Sequence, residues 1–139
     1  MESVTVSRHV AADPERVRAA MTDVGPFMRA AGFDEVHVAD DGETFTLVNR
    51  VGVVEIELEL AVADRPDAAF AYEQRDGIFR EMWTAYRVEE ADGGTDVTAT
   101  TEYEVAAKFV GPIFDGTVVK RQRRKELDAQ FDYLAELEG

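Results

Sequence analysis

His9 and His37 are the only histidines, and so the first side chains to weigh for chemistry near neutral pH. Each falls on the strand phase opposite its apolar neighbours: His37 opposes Val36 and Val38, and His9 opposes Val6 and Val10. That phase turns both rings to solvent. No HxxxH or HExxH spacing occurs, so the sequence calls for no zinc or other metal site. Cysteine is absent, which excludes disulfides, thiolate metal ligands and a cysteine nucleophile. There is no GxSxG elbow and no phosphate-cradling glycine loop. Gly111-Pro112 reads as the start of a last helix, and no cofactor is implied.

The basic run Lys120-Arg121-Gln122-Arg123-Arg124-Lys125 stands against an acidic background. At about 100° per residue, Ile113, Lys120, Arg124, Leu127, Phe131 and Leu134 share one helix face. The lower half of that face is apolar and must pack on something. The upper half continues the line with Lys120 and Arg124, near Arg123 and Gly116. A glycine inside a helix costs roughly 1 kcal/mol against alanine, so Gly116 argues for room or a bend. One reading has this half roof a pocket and set its cations near the mouth, where a carboxylate or phosphate head of an amphiphile would meet them. The other has the cations form a rim of ion pairs with sheet carboxylates, or a bent helix turn them outward. The sequence leaves both open.

The elements that position these groups are bounded by composition. A length of 139 residues fits one domain, spanning 1–139, and a 45% hydrophobic content allows a sizeable core. Asp and Glu number 29 against 15 Lys and Arg, a formal charge of −14, so nucleic acid and anionic membranes are not expected partners. Only Lys108, Lys120 and Lys125 are lysines; the other basic residues are arginines. Few lysines, many carboxylates and an Ala/Val-rich core resemble proteins adapted to a salt-rich cytoplasm, with an ordinary acidic protein as the alternative. The N-terminal MESVTVSRHV has no basic segment followed by an apolar run, and no apolar stretch approaches a membrane span. The expectation is a soluble cytoplasmic protein without membrane insertion. Its oligomeric state is not written in the sequence.

Turn signals recur at Asp40-Asp41-Gly42, Val51-Gly52, Arg65-Pro66-Asp67, Asp76-Gly77 and Asp92-Gly93-Gly94, as in an antiparallel meander. From Val54 to Val62, Val54, Ile56, Leu58, Leu60 and Val62 point one way while Glu55, Glu57 and Glu59 point the other. Asp96 to Val105 repeats that alternation, with Val97, Ala99, Thr101, Tyr103 and Val105 on the apolar side. Weaker strands cover about 3–10, 34–40, 43–50, 68–75 and 78–90, making seven. Asp13-Pro14-Glu15 starts a helix, with Asp13 as N-cap. Gly25-Pro26 is expected to break it, and Phe27-Met28 to begin a second short helix ending at Gly32. A long helix from about Pro112 to Glu136 closes the chain.

One strand, a helix pair, six more strands and a final long helix resemble the helix-grip (SRPBCC, START-like) superfamily. Ala11-Ala12-Asp13-Pro14-Glu15-Arg16-Val17 is similar to its turn into the first helix. Gly77-Ile78-Phe79 with Trp83, then Gly93-Gly94-Thr95-Asp96-Val97-Thr98, resembles the penultimate hairpin of the polyketide cyclase/dehydrase and coenzyme Q-binding-like branch. With the composition, the resemblance points to a halophilic archaeal source. It implies an α+β helix-grip fold: a seven-stranded antiparallel sheet wrapped around the C-terminal helix, with two short helices after the first strand. It also implies a pocket for a small hydrophobic or lipid-like ligand, walled by Phe45, Leu47, Ile56, Leu58, Phe70, Tyr72, Phe79, Trp83 and Tyr103, with Gly116, Lys120 and Arg124 along the helix. Because helix-grip cyclases use polar side chains inside the pocket, Tyr72, Tyr103 and Glu81 are the acid/base candidates. Tyr72 and Tyr103 lie in phase with core positions, whereas Glu81 shares its phase with Trp83 and Arg87 on a strand long enough to carry a bulge. A carrier is the first expectation. A polyketide-cyclase-like enzyme acting on a polar ring compound is the second, and a co-chaperone or ribosome-associated interaction module the third. Fold alone does not choose among them.

Overall fold

The computed structural model describes residues 1–137. Its elements run β1 (Glu2–Val10), α1 (Pro14–Thr22), α2 (Val24–Arg29), β2 (Glu35–Ala39), β3 (Thr44–Val51), β4 (Val54–Val62), β5 (Phe70–Asp76), β6 (Phe79–Ala91), β7 (Gly94–Val105) and α3 (Gly116–Ala135). Among the described residues the seven strands form one antiparallel sheet in the order β1-β7-β6-β5-β4-β3-β2. Six consecutive strands, each paired with the next, and a first strand returning beside the last make a curved sheet, and α3 lies across it. The helix-grip fold expected from the element order is the fold observed.

Alternation explains which face is covered. On β4, Glu55, Glu57 and Glu59 are exposed, while Ile56 and Leu58 are half-buried and Leu60 is buried. On β7, Val97, Ala99, Thr101 and Tyr103 are buried together. The inner face of the sheet meets α1, α2 and the second half of α3, with Val17, Met21, Phe27, Leu127, Phe131 and Leu134 in the core. Phe27 packs edge-on against Tyr86 with ring centroids 5.1 Å apart, and Phe70 stacks on Tyr86 at 5.7 Å. This aromatic group fixes one end of the sheet's concave side.

Three local expectations are corrected. Asp13 does cap α1, accepting from the Arg16 amide at 2.9 Å, but the helix ends at Asp23, ahead of Gly25-Pro26. Gly25 and Pro26 instead belong to the first turn of α2, where a missing amide proton is no loss. The last helix is not continuous from Pro112. A single 3₁₀ turn at Pro112–Phe114 is followed by Asp115 in an extended conformation, and α3 begins at Gly116. Asp115 caps it, accepting from the Thr117 amide at 2.9 Å, so Gly116 carries no cost of an interior glycine.

The third concerns β6. Its register against β7 shifts between Phe79 and Glu81, a β-bulge. Phe79 faces inward with Met82, Thr84 and Tyr86, and the alternation restarts one residue late. Glu81 is therefore exposed, and Trp83 lies on the outer face, half-buried, with the Arg65 guanidinium 3.6 Å above its ring. The turn before the bulge is clamped by one side chain. Gln74 accepts from the Phe79 amide at 3.1 Å and donates to the Phe79 carbonyl at 2.6 Å. Gly77 fills that clamp because a Cβ there would lie 2.5 Å from a Leu58 methyl.

Candidate functional site

The first half of α3 does not fill the sheet's concavity. A cavity of about 360 Å³ remains between it and β3–β6. Leu47, Ile56, Leu58, Leu60, Phe79 and Met82 form the sheet wall, and Ile113, Val118 and Val119 close the opposite side. The mouth carries Phe33, Asp34, Asn49, Arg50 and Val51. Volume and lining match the usual small-molecule pocket, mostly apolar with a few placed polar groups.

Those polar groups come from α3 and β5. Arg123 and Glu126, one helical turn apart, form an ion pair with side chains 8% and 4% exposed. The other arm of the guanidinium donates to the Tyr72 hydroxyl at 3.2 Å, Thr84 Oγ1 at 3.0 Å and Thr101 Oγ1 at 3.3 Å. The Gln122 amide donates to the second Glu126 oxygen at 3.0 Å. Burial alone would lower the Arg123 pKa. The electrostatics of Tyr72 and Glu126 outweigh it and hold that pKa above the usual guanidinium range. Arg123 and Glu126 thus face each other as groups of opposite formal charge inside the protein. Arg123 Nε is a buried donor with no partner among the described residues.

A second set of buried polar groups continues behind the cavity. The Tyr86 hydroxyl donates to Gln130 Oε1, and Gln130 Nε2 donates to the Phe27 carbonyl at 3.2 Å, tying α3 to α2. Burial raises the Tyr86 pKa well above the ordinary phenol value. Burial, then the nearby Glu2 carboxylate, raises that of Tyr103. Both hydroxyls stay protonated, a state suited to donating hydrogen bonds and unsuited to taking protons.

The residues expected from sequence are thereby sorted. Leu47, Ile56, Leu58, Tyr72 and Phe79 meet in the cavity lining. Phe45 and Phe70 pack behind it, with ring centroids 5.5 and 5.9 Å from that of Tyr72. Tyr103 is buried against Phe79 at 5.4 Å and does not line the cavity. Trp83, Glu81 and Gly116 also lie outside the lining. Lys120 and Arg124 do not face the cavity either: both are exposed, and Lys120 Nζ lies 3.7 Å from Glu2. Because α3 starts afresh at Gly116, Ile113 gives no register for it, and the inner stripe is Val119, Arg123, Glu126, Leu127, Gln130, Phe131 and Leu134. The lining residues that the sequence reading missed include Arg123, Glu126 and Gln122 of α3. Spacings of four, three, one, three, one and three along that stripe were a legible helical signal, hidden by counting apolar residues alone.

His9 and His37 are surface residues paired with carboxylates, Asp96 at 2.8 Å and Glu35 at 3.0 Å. Among the described residues no helix is long and apolar enough to cross a membrane.

Comparison with solved structures finds the same fold over nearly the whole chain. A Thermus thermophilus protein matches at 19% identity and a TM-score of 0.75, covering 97% of this chain and 95% of its own. The Zhui aromatase/cyclase from Streptomyces matches at 18% identity and 0.75, covering 95% and 92%. A START superfamily protein from Mycobacterium smegmatis matches at 16% and 0.69, covering 96% and 94%. At these identities the likeness shows the fold alone. A search of curated proteins found no match to this chain. The family described as polyketide cyclase / dehydrase and lipid transport matches residues 1–137, and the chain belongs to it.

Proposed function

We propose that the protein binds or carries a small, mainly apolar organic molecule in the cavity beneath α3. The observation that carries this reading is the 360 Å³ space itself, apolar on its sheet side and with one cluster of polar groups on its helix side. A cleft of this size, open at one end and lined mainly by apolar side chains, is the usual shape of a small-molecule site. Leu47, Ile56, Leu58, Tyr72 and Phe79 would contact the ligand, with Phe45, Phe70 and Tyr103 supporting them from behind. An interaction module needs no apolar recess of this depth, which favours the carrier over that alternative.

Filling the cavity tests it. In Leu58→Trp, affinity for the uncharged fluorescent probe N-phenyl-1-naphthylamine is expected to fall at least tenfold, whereas Val53→Trp at the exposed β3–β4 turn leaves it unchanged. Equal affinities in wild type and Leu58→Trp would place the binding elsewhere. Native mass spectrometry of freshly purified protein would identify the molecule that accompanies it.

A cyclase-like reaction is the second reading, favoured by the family and by the Tyr72–Arg123 contact at the cavity's polar end, where a substrate carbonyl could be polarised. The upward pKa shifts of Tyr86 and Tyr103 speak against either serving as a base.

The charge of −14 extends the proposal to a salt-rich cytoplasm, as in a halophilic archaeon. Self-repulsion of 29 carboxylates weakens a fold in dilute buffer, and screening restores it. The melting midpoint should rise from dilute buffer to molar potassium chloride; a flat or falling midpoint would indicate an ordinary acidic protein.

A further inference from the structure

We infer that Asn49 decides which way round the ligand lies: a hydroxyl of the ligand is held by the Asn49 amide at the cavity mouth, and the apolar body reaches inward from it. The inference rests on the cavity being the ligand site and adds the ligand's orientation and the class of its polar end. On the inner wall, β3 and β4 set their side chains in cross-strand pairs: Asn49 with Ile56, Leu47 with Leu58, and Phe45 with Leu60. Successive pairs are two residues apart along each strand, roughly 7 Å. The two inner rows are wholly apolar, whereas the row at the mouth puts an amide beside Ile56. Asn49 shares the inward phase of Leu47, lines the cavity and is half-buried, so its side chain is open to whatever enters. Asparagine is a poor strand former, and an apolar β-branched residue would suit the position better for stability alone.

The other polar side chains of the lining are already engaged. Arg123 holds Glu126 and Tyr72, and Gln122 donates to Glu126. Arg50 is paired with Glu35, and Asp34 accepts from the Arg50 amide at 2.5 Å. Asn49 is the lining polar side chain that makes no hydrogen bond among the described residues. While the cavity is open, water can reach this amide. A ligand body laid over Ile56 and Leu58 removes that water, and a wholly apolar ligand leaves the amide unpaired at a cost. A hydroxyl avoids the cost, because it accepts from the amide nitrogen or donates to the amide oxygen. With the hydroxyl there, a ring body extends over the Leu47 and Leu58 row, one step inward.

Two probes of one shape test this: 2-naphthalenemethanol, and 2-ethylnaphthalene, in which a methyl replaces the hydroxyl. Affinities are read by displacement of N-phenyl-1-naphthylamine, and position by isotope-edited NMR. Transfer from water by itself favours the ethyl compound, so the change in the affinity ratio on mutation is the readout. In Asn49→Val the alcohol should weaken while the ethyl compound holds or tightens. The ratio should move at least fivefold toward the ethyl compound, the least that one lost hydrogen bond warrants. In wild type the carbinol methylene should show contacts to the Asn49 side chain, and the ring protons to the Leu58 methyls. A smaller shift of the ratio, or a carbinol group found beside Leu60 instead of Asn49, overturns the inference and leaves the cavity reading intact. Neither probe contacting Ile56 or Leu58 overturns both. Should Asn49→Val fail to fold, the contacts in wild type still decide.

Discussion

Replacing Arg123 alone by methionine lowers unfolding stability by about 3–5 kcal/mol, because it leaves the Glu126 carboxylate buried with its counter-charge gone. Glu126→Met costs a similar amount by stranding the guanidinium. The double variant Arg123→Met/Glu126→Met regains most of the loss, since two flexible apolar side chains fill the same space without a charge to desolvate. Denaturant titrations of the four proteins close a double-mutant cycle, and the coupling should be large and favourable. Additive losses would mean that the two charges do not depend on each other. A typical domain is stable by only 5–15 kcal/mol, so either single variant sits near the edge of folding. The polar end of the cavity is therefore coupled to the integrity of the whole chain.

Phe131→Ala should cost about 3–5 kcal/mol, as truncating a fully buried phenylalanine usually does. Val119→Ala, more than three turns earlier on the same face, should cost well below half of that. Val119 borders space that is already empty, so its truncation loses few contacts and opens little new cavity. The same titrations compare them. Equal losses would show α3 packed uniformly along its length, in conflict with a helix anchored at its C-terminal half and spanning a void at its N-terminal half.

The legible parts of the molecule were those where one physical rule acts alone. The Val54–Val62 alternation identified both faces of β4 because that strand has one wet face and one dry face. Asp13 announced α1 because an N-cap is a local device. Two features hid because they reverse a rule. Arg123, Glu126 and Gln130 lie on the buried stripe of α3, while Lys120 and Arg124 on its flank are exposed. Polar residues that satisfy one another can occupy a core position, and no pattern of hydrophobicity reveals the partners Tyr72, Thr84 and Thr101 lying up to 51 positions away. Glu81 and Trp83 were ambiguous for a different reason: a bulge leaves no mark in period-two counting except the loss of the count itself.

That bulge also governs how the chain can change length. Elsewhere in β6, adding or removing one residue would transpose wall and surface, bringing Glu81, Trp83 and Arg87 toward the cavity and sending Met82, Thr84 and Tyr86 to water. Between Phe79 and Glu81 the strand already holds one residue more than β7 opposite it, so a single-residue deletion there yields a regular ladder with the same side chains inside. Deleting Arg80 is thus expected to leave the cavity wall's side chains in place, whereas a deletion a few positions later would exchange inner side chains for outer ones. Along β6, the bulge is the place where the strand can lose a residue without turning its inner face outward.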